Sequence, residues 1–519
     1  MQILDCTIRD GGYYTNWDFN KDTIKTYLSS ISRLPIDFIE VGYRNPELSG
    51  YYGEYYFLPT HTMKFLRLHS DKAIAIILNE KDVRVNMLPD LLGPCHGLVD
   101  LVRIAIDPKN YSRALELAKE IKRMGFDVAF NVMYMSKWSE HPEMMQRLNE
   151  LDGVVDYFYM VDSFGGVFPD DVRETIKSIR ARTNVKIGFH GHNNLEMALA
   201  NTLAAIDEGV DIVDATITGM GRGAGNLKTE LLLTTLNGLN GLEVDFNALS
   251  DTTADFEKLQ DFYKWGTSLP YMVSGAKSLP QKQVMEWVSK RYYSINSIVR
   301  ALNNVSENKP DNEKLPIFRD KSTAASVVIV GGGPSVRKHE EGIKIFLKNN
   351  PQIPIIHASS KNARSFDGLI NDQYYCLAGS EGLRLEKIFA NELNPKVKCV
   401  LPPFPRKMGT YIPKKIRDNS FELETVNFTS DFQDTHTTIA LQTAIQLGAR
   451  TIYLVGYDGY LSGLADKKEM ELFLENSKLF TLIQNSKGIR LISLTPSYYD
   501  DIKIKSIYEK NSRDDRSIF

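Results

Sequence analysis

The stretch VDLVRIAIDPKNYSRALELAKEIKRMGFDVAFNVM, residues 99–133, holds one complete step of the architecture. Its ends, VDLVRIAI from Val99 and DVAFNVM from Asp127, are short apolar runs rich in β-branched residues, the mark of buried strands. Between them, YSRALELAKEIKRMG carries apolar residues at spacings of three and four, the pattern of a helix with one buried face. Strand, helix and strand at this length make a parallel βαβ unit of ~30 residues. The alternation extends in both directions over residues 1–240. Further strands are predicted at QILDCTI (from Gln2), DFIEVGY (Asp37), AIAIIL (Ala73), VDYFYMV (Val155), VKIGFHG (Val185) and VDIVDATI (Val210). Eight strand–helix units predict an α/β fold, a closed (β/α)8 TIM barrel; an open doubly wound sheet is the rival, and the even spacing favours closure.

Beyond the barrel, residues 241–304 read as a small helical extension, with ADFEKLQDFYKWG and PQKQVMEWVSKRYYSINSIVRAL. The polar, proline-bearing stretch 305–323 reads as a linker. Residues 324–505 open with SVVIVGGGPS and alternate again through IPIIHAS, YYCLAGS, VKCVLPP, TIYLVGY and IRLISLT, which predicts a second, Rossmann-like α/β domain. Residues 506–519 read as a flexible tail.

A net charge of −3 gives no bulk electrostatic case for nucleic acid or an acidic membrane. The four cysteines, Cys6, Cys95, Cys376 and Cys399, form no CxxC pair, which fits a reducing compartment and argues against a thiolate zinc site. No apolar run approaches the ~20 residues of a membrane span, and the chain starts on a strand-like run without signal-peptide character. A cytoplasmic protein is expected, with homo-oligomerisation left open.

The chemistry concentrates at predicted strand ends, where such barrels keep their active sites. In FHGHNN, His190 and His192 alternate onto one face at the end of the seventh strand, so both imidazoles can reach one metal ion; two hydrogen-bonded structural histidines are the plain alternative. At the end of the first strand, CTIRDGG offers Arg9 and Asp10, followed by two glycines that allow a sharp turn. Asp10 would add a hard oxygen ligand. Two histidines and a carboxylate leave open positions for substrate and suit Mn²⁺ or Mg²⁺, less firmly Zn²⁺. The eighth strand ends in GMGRGAGN, Gly219–Asn226, whose glycines imply close backbone approach or positive φ. The sixth ends in VDSFGG, with Asp162 and Ser163, and the second contributes Glu40.

These motifs together resemble the DRE-TIM metallolyases (HMGL-like, pyruvate carboxyltransferase family), over about residues 1–290: T-x-R-D-G on strand one, H-x-H on strand seven, G-x-G-x-G-x-G-N after strand eight. The branch they look closest to is 4-hydroxy-2-oxovalerate aldolase. The resemblance implies Asp10, His190 and His192 as ligands of a divalent metal, with Asn226 at the place of a further ligand. It implies Arg9 as the stabiliser of an enolate oxygen and Ser163 as a holder of the pyruvate carboxylate; Glu40 and Asn226 join Arg9 and Ser163 as substrate-side candidates. The substrates it implies are pyruvate and an aldehyde, in a carbon–carbon lyase acting on a 4-hydroxy-2-keto acid. The chain departs from the pattern at Tyr13, where those aldolases carry a histidine three residues after the aspartate. A phenol, with an ordinary pKa of ~10, is a poor base at neutral pH, so Tyr13 is expected to act as an acid or to shape the pocket.

In the second domain, VVIVGGGPS followed by a helix is a candidate anion cradle, although Val336 stands where a dinucleotide fingerprint would have its third glycine. Together with T-x-x-x-A-L-x-x-A-x-x-L-G-A-x-x-I-x-L-V-G-x-D it is similar to motility-associated-factor glycosyltransferases and, more distantly, bacterial sialyltransferases, over about residues 324–500. That likeness implies a nucleotide or nucleotide-sugar near Gly332, Gly333, Pro334, Ser335, Thr438 and Asp458. Such a fusion would suit the making of an acidic keto sugar for surface glycans. Two alternatives are a Claisen-type synthase joining an acyl-CoA to a 2-keto acid, and a non-catalytic barrel serving as scaffold for the second domain.

Overall fold

The computed structural model describes residues 1–290, 293–309, 313–319, 324–389, 397–406, 411–460 and 467–514. They fall into two compact units, Met1–Glu286 and Trp287–Phe519. In the first, eight parallel strands close in chain order: β1 (Gln2–Asp5), β2 (Phe38–Tyr43), β3 (Ala73–Asn79), β4 (Leu101–Ile106), β5 (Asp127–Val132), β6 (Tyr157–Asp162), β7 (Lys186–Gly191) and β8 (Ile212–Ala215). Gln2 to Asp5 run in parallel register with Ile212 to Ala215, which closes the barrel.

Strand alternation sorts the residues into two shells. Ile74, Ile76, Val102, Ile104, Val128 and Phe130 face outward and pack beneath helices such as Tyr111–Arg123, whose buried stripe includes Ala114, Leu115, Ala118 and Ile121. The inward residues begin apolar, with Leu4, Ala75, Leu101, Ala129 and Ile212, and become polar toward the strand C-termini. Glu40, Arg103, Tyr159 and Asp214, one from each even-numbered strand, form one such layer. Arg103 lies 3.1 Å from Glu40 and 2.6 Å from Asp214, with its guanidinium 4.2 Å above the Tyr159 ring. The odd strands supply the next layer, with Ile77, Asn131 and His190 lining the cavity above.

The first strand differs from expectation. It ends at Asp5, and Thr7–Thr15, containing Arg9, Asp10 and both glycines, is a helix rather than a strand end and turn. The glycines answer a packing need: a Cβ on Gly11 would come within 2.5 Å of Met220 Sδ, and one on Gly12 within 2.1 Å of the Trp17 ring. The unit boundary also falls inside the predicted extension: helices Phe246–Tyr263 and Leu269–Ala276 belong to the first unit, and Ile295–Ser306 to the second.

The second unit is a parallel sheet ordered β13-β12-β11-β10-β9-β14-β15-β16, with β9 (Ser326–Val330), β10 (Ile355–His357), β11 (Gln373–Cys376), β12 (Lys398–Leu401), β13 (Ser420–Glu422), β14 (Thr451–Val455), β15 (Arg490–Ser493) and β16 (Lys503–Ile504). Chain order runs outward from β9 to β13 and then restarts on its other side at β14, giving a topological switch point between β9 and β14. Two expectations are corrected. Within the stretch read as a linker, Leu315 and Phe318 are buried, and the Phe318 amide donates to the Glu422 carbonyl at 2.8 Å; Asp311, Asn312 and Asp320–Thr323 lie outside the described residues. Within the stretch read as a tail, Ile507–Asp514 is a helix anchored by buried Ile507 and by the Asn511 amide on the Gly342 carbonyl.

Candidate active site

The end of β7 and the turn after β8 are laced together. The Asn193 amide donates to the Gly225 carbonyl at 2.8 Å, and His192 forms a β-bridge with Asn226. The turn needs its glycines: Gly219, Gly223 and Gly225 have positive φ, and a Cβ on Gly225 would stand 2.2 Å from the Gly219 carbonyl. This lacing brings Asn226 to Asp10, whose Oδ2 accepts from Asn226 Nδ2 at 2.6 Å, while Asn226 Oδ1 is buried without a partner.

Each histidine has one nitrogen committed. His192 Nδ1 lies 2.9 Å from the Asp162 carbonyl, which can only accept, so Nδ1 carries the proton. His190 Nδ1 donates to Asp214 Oδ2 at 2.9 Å. Both Nε2 lone pairs are therefore free, and His190 Nε2 sits 3.7 Å from Asp10 Oδ2. Burial, and then the neighbouring His190, push His192 down to about 3, so it is neutral at physiological pH. Burial alone would raise Asp10, but Arg9, His190, His192 and Arg222 outweigh it and hold the carboxyl at about 2. A neutral His192, an imidazole of His190 oriented by Asp214, an ionised carboxylate and an unsatisfied amide oxygen fit a hard divalent cation, and the Asp214–His190 pair is the carboxylate–histidine arrangement that orients metal ligands. Among the described residues, Cys6, His190 and Asp214 are the set whose donor atoms all lie within 4.8 Å of one another; those of Asp10, His190 and His192 are spread more widely. The Cys6 set fits less well: burial pushes the Cys6 thiol up, and Asp214 Oδ2 already serves Arg103 and His190.

Arg9 donates from Nε to Glu40 Oε2 at 2.6 Å and from Nη1 to Asp10. Glu40 is fully buried, so it holds two guanidinium groups instead of contacting substrate, as the sequence reading had it. Ser163 is likewise spent: its hydroxyl accepts from the Tyr134 amide at 2.8 Å, and it is absent from the cavity lining. Tyr13 lines the cavity, with its hydroxyl 2.9 Å from that of Tyr43. The cavity, of about 710 Å³, is walled on this side by Trp17, Tyr43, Tyr52 and Tyr56.

Comparison with known proteins agrees with this geometry. An HMGL-like family model matches residues 103–264. A 4-hydroxy-2-oxovalerate aldolase from Thermomicrobium roseum is 31% identical over 253 residues, 47% of this chain and 69% of the relative. An oxaloacetate decarboxylase from Mycobacterium tuberculosis is 28% identical over 243 residues, 45% of this chain and 69% of the relative. The crystal structure of an N-terminal domain from Bacteroides vulgatus is 55% identical with a TM-score of 0.56, covering 58% of this chain and all of that one. The chain belongs to the HMGL-like family, the DRE-TIM metallolyases.

In this chain, sequence reasoning passed over Arg103, Asp214 and Arg222. The first two were signalled by lone charges within apolar strand runs, which a buried position tolerates only when paired. Arg222 stood inside the quoted glycine turn, and its guanidinium lies 4.7 Å from the Tyr13 ring centroid. No helix of the described residues is long and apolar enough to cross a membrane.

The second unit has its own cavity of about 650 Å³, at the β9–β14 switch point, lined by Gly331–Pro334, Lys361, Arg384, His436, Thr437 and Asp458 among others. Gly332, Gly333, Pro334 and Asp458 line this cavity. Asp458, however, accepts from the Ser335 amide at 2.9 Å and from its hydroxyl, so it braces the glycine loop. Thr438 is fully buried against Thr435 at 3.0 Å and leaves the lining to Thr437. Glu381 is pulled to about 2 against its burial by His436 and Arg384, and it also accepts from the Ser360 amide at 2.7 Å.

Proposed function

We propose that the barrel is a divalent-metal-dependent aldolase that works through a pyruvate enolate on a 4-hydroxy-2-keto acid. The observation that carries this reading is the pair of imidazoles whose δ-nitrogens are tied to Asp214 and to the Asp162 carbonyl, with His190 Nε2 at 3.7 Å from Asp10, which is itself paired with Arg9. Asp10, His190 and His192 would hold Mn²⁺ or Mg²⁺, with Asn226 Oδ1 at hand. Such an ion supplies Lewis-acid stabilisation to a developing enolate oxygen. Cleavage of the bond between C3 and C4 of the substrate leaves an electron pair on the ketone side, which becomes the enolate, while the 4-hydroxyl carbon becomes the aldehyde carbonyl. Arg9 has Nε and Nη1 occupied, and its Nη2, without a partner among the described residues, can donate to that enolate oxygen. Glu40 and Asp10 hold the guanidinium in place, so little reorganisation is needed when charge develops. Tyr13, hydrogen-bonded to Tyr43, shapes the pocket and hydrogen-bonds the substrate's 4-hydroxyl instead of serving as the essential base; water in the open cavity takes the hydroxyl proton, and water returns one to C3 of the enolate to give pyruvate. The test is incubation with 4-hydroxy-2-keto acids and coupled detection of pyruvate. Pyruvate release supports the reading, and inert keto acids together with condensation of acetyl-CoA onto a 2-keto acid would replace it with the synthase.

For the second unit we propose binding of a nucleotide or nucleotide-sugar at the switch-point cavity. Three consecutive glycines, Gly331–Gly333, allow close approach, and Lys361 and Arg384, the latter paired with Glu381 at 2.9 Å, bring positive charge to the lining. This placement would let the chain pass an acidic keto sugar toward glycan assembly. Titration of the intact chain with cytidine and uridine nucleotides and their sugars, against Lys361→Met, tests it; no binding by the wild type rejects it.

A further inference from the structure

We infer that the aldehyde handled by the barrel carries a negative charge, and that Arg222 recognises it. This rests on the aldolase reading above and adds the class of the acceptor.

Three arginines approach the inner cavity, and three carboxylates accompany them. Arg9 pairs with Asp10 and Glu40, and Arg103 pairs with Glu40 and Asp214. The two pairings use all three of these carboxylates; Glu80, Asp82 and Asp107 also line the cavity, with Glu80 paired to Arg113 and Asp107 to Lys109. Arg222 lines the same cavity, yet its guanidinium makes no hydrogen bond or ion pair with any described residue, and its Nε is buried and unsatisfied. An unpaired guanidinium partly removed from water is costly, and a bound anion is the partner that relieves it.

The position of Arg222 says which end of the substrate that anion belongs to. The guanidinium stacks over the Tyr13 ring, one helical turn beyond Asp10, and Tyr13 continues into the wall of Tyr43, Tyr52, Tyr56 and Trp17. Arg9, by contrast, is bonded directly to Asp10. The donor keto acid thus has Arg9 and the ligand cluster, and Arg222 stands over the side from which the second carbonyl compound must approach. Its place in the turn is fixed, because Gly221 and Gly223 on either side cannot carry a Cβ: one on Gly221 would stand 2.6 Å from Asn226 Nδ2, and Gly223 has a φ of 62°. A carboxylate and a phosphate both match a guanidinium fork, so the shared chemistry is an anionic aldehyde.

The experiment compares aldol condensation of pyruvate with charged and neutral acceptors of similar size, using wild type, Arg222→Met and Arg222→Lys. Glyceraldehyde 3-phosphate is set against glyceraldehyde, and succinic semialdehyde against butanal, so the two pairs separate a phosphate from a carboxylate. In the wild type, kcat/KM should favour one charged acceptor by about 10–10², the discrimination a satisfied buried charge provides. Arg222→Met should erase that preference and Arg222→Lys should restore part of it. The loss on the charged acceptor should exceed any loss in acceptor-free pyruvate deuterium exchange by at least tenfold. Equal losses in the two assays would assign Arg222 to the donor carboxylate and overturn the proposal, as would a wild type indifferent to acceptor charge. A wild type that exchanges no pyruvate at all would instead reject the aldolase reading beneath it.

Discussion

Asp214→Asn removes a charge without removing a proposed metal ligand. The native carboxylate accepts from Arg103 Nη2 at 2.6 Å and from His190 Nδ1 at 2.9 Å, both on Oδ2. An asparagine oxygen can still accept, but its charge is gone, and Arg103 keeps Glu40 at 3.1 Å as a carboxylate partner beside the neutral Asn131 Oδ1 at 2.9 Å. Breaking a buried ion pair from one side costs ~3–5 kcal/mol, and the surviving hydrogen bonds place this variant at the low end, about 3 kcal/mol. At ~2–4 °C per kcal/mol for units of this size, the barrel's Tm should fall by about 6–12 °C. His190 would also lose its anionic orienter, which weakens metal affinity by ~10–100-fold. Calorimetry gives the first quantity, and competition with a chromophoric chelator at pH 7.5 gives the second. The pH dependence carries a sign. Arg103 and His190 overcome burial and hold the native Asp214 below the ordinary value of 3.8, so its contribution is present above that value and is lost as the pH falls further. The stability gap between wild type and variant should therefore narrow below about pH 4. A variant within threefold of wild-type metal affinity and within 2 °C of its Tm would refute the role given to the charged layer.

His192→Ala should lose most bound Mn²⁺ or Mg²⁺, measured by elemental analysis after gel filtration, while circular dichroism stays native. Tyr13→Phe should keep keto-acid cleavage within a factor of ~10², because Tyr13 is a pocket and hydrogen-bonding residue and not the essential base; a variant as inactive as His192→Ala would reverse that assignment. Gly12→Ala should destabilise the barrel by about 1–3 kcal/mol in urea titration, since its Cβ would fall 2.1 Å from the Trp17 ring and force the Thr7–Thr15 helix to shift.

Much of the barrel was legible because its strands are buried on both faces and separated by one-sided helices. The facing of His190 and His192 was legible too, since strand alternation alone puts them on one face. What the sequence hid was long-range. Arg103 and Asp214 meet across the barrel although far apart in the chain, and no local pattern says that inward charges on β4 and β8 share a layer. The helix at Thr7–Thr15 was masked by its own glycines, which signal a turn locally but serve close packing against Met220 and Trp17. Ser163 was misplaced because a strand-end hydroxyl reads the same whether it faces substrate or, as here, the Tyr134 amide. In the second unit, β13 and β16 are edge strands of three and two residues, too short to show a period. The helix Ile507–Asp514 is strongly polar, and only the burial of Ile507 reveals it as docked.

The central claim is that this chain forms the enolate of pyruvate, with Arg9 and a metal held by Asp10, His190 and His192 stabilising its oxygen. Proton NMR of pyruvate in deuterated buffer measures it directly. The account predicts that wild-type protein exchanges the methyl protons without any aldehyde, that excess chelator stops the exchange and added Mn²⁺ or Mg²⁺ restores it, and that Arg9→Ala slows it by ~10²–10³. Undiminished exchange in excess chelator, or none in the metal-loaded wild type, would contradict it.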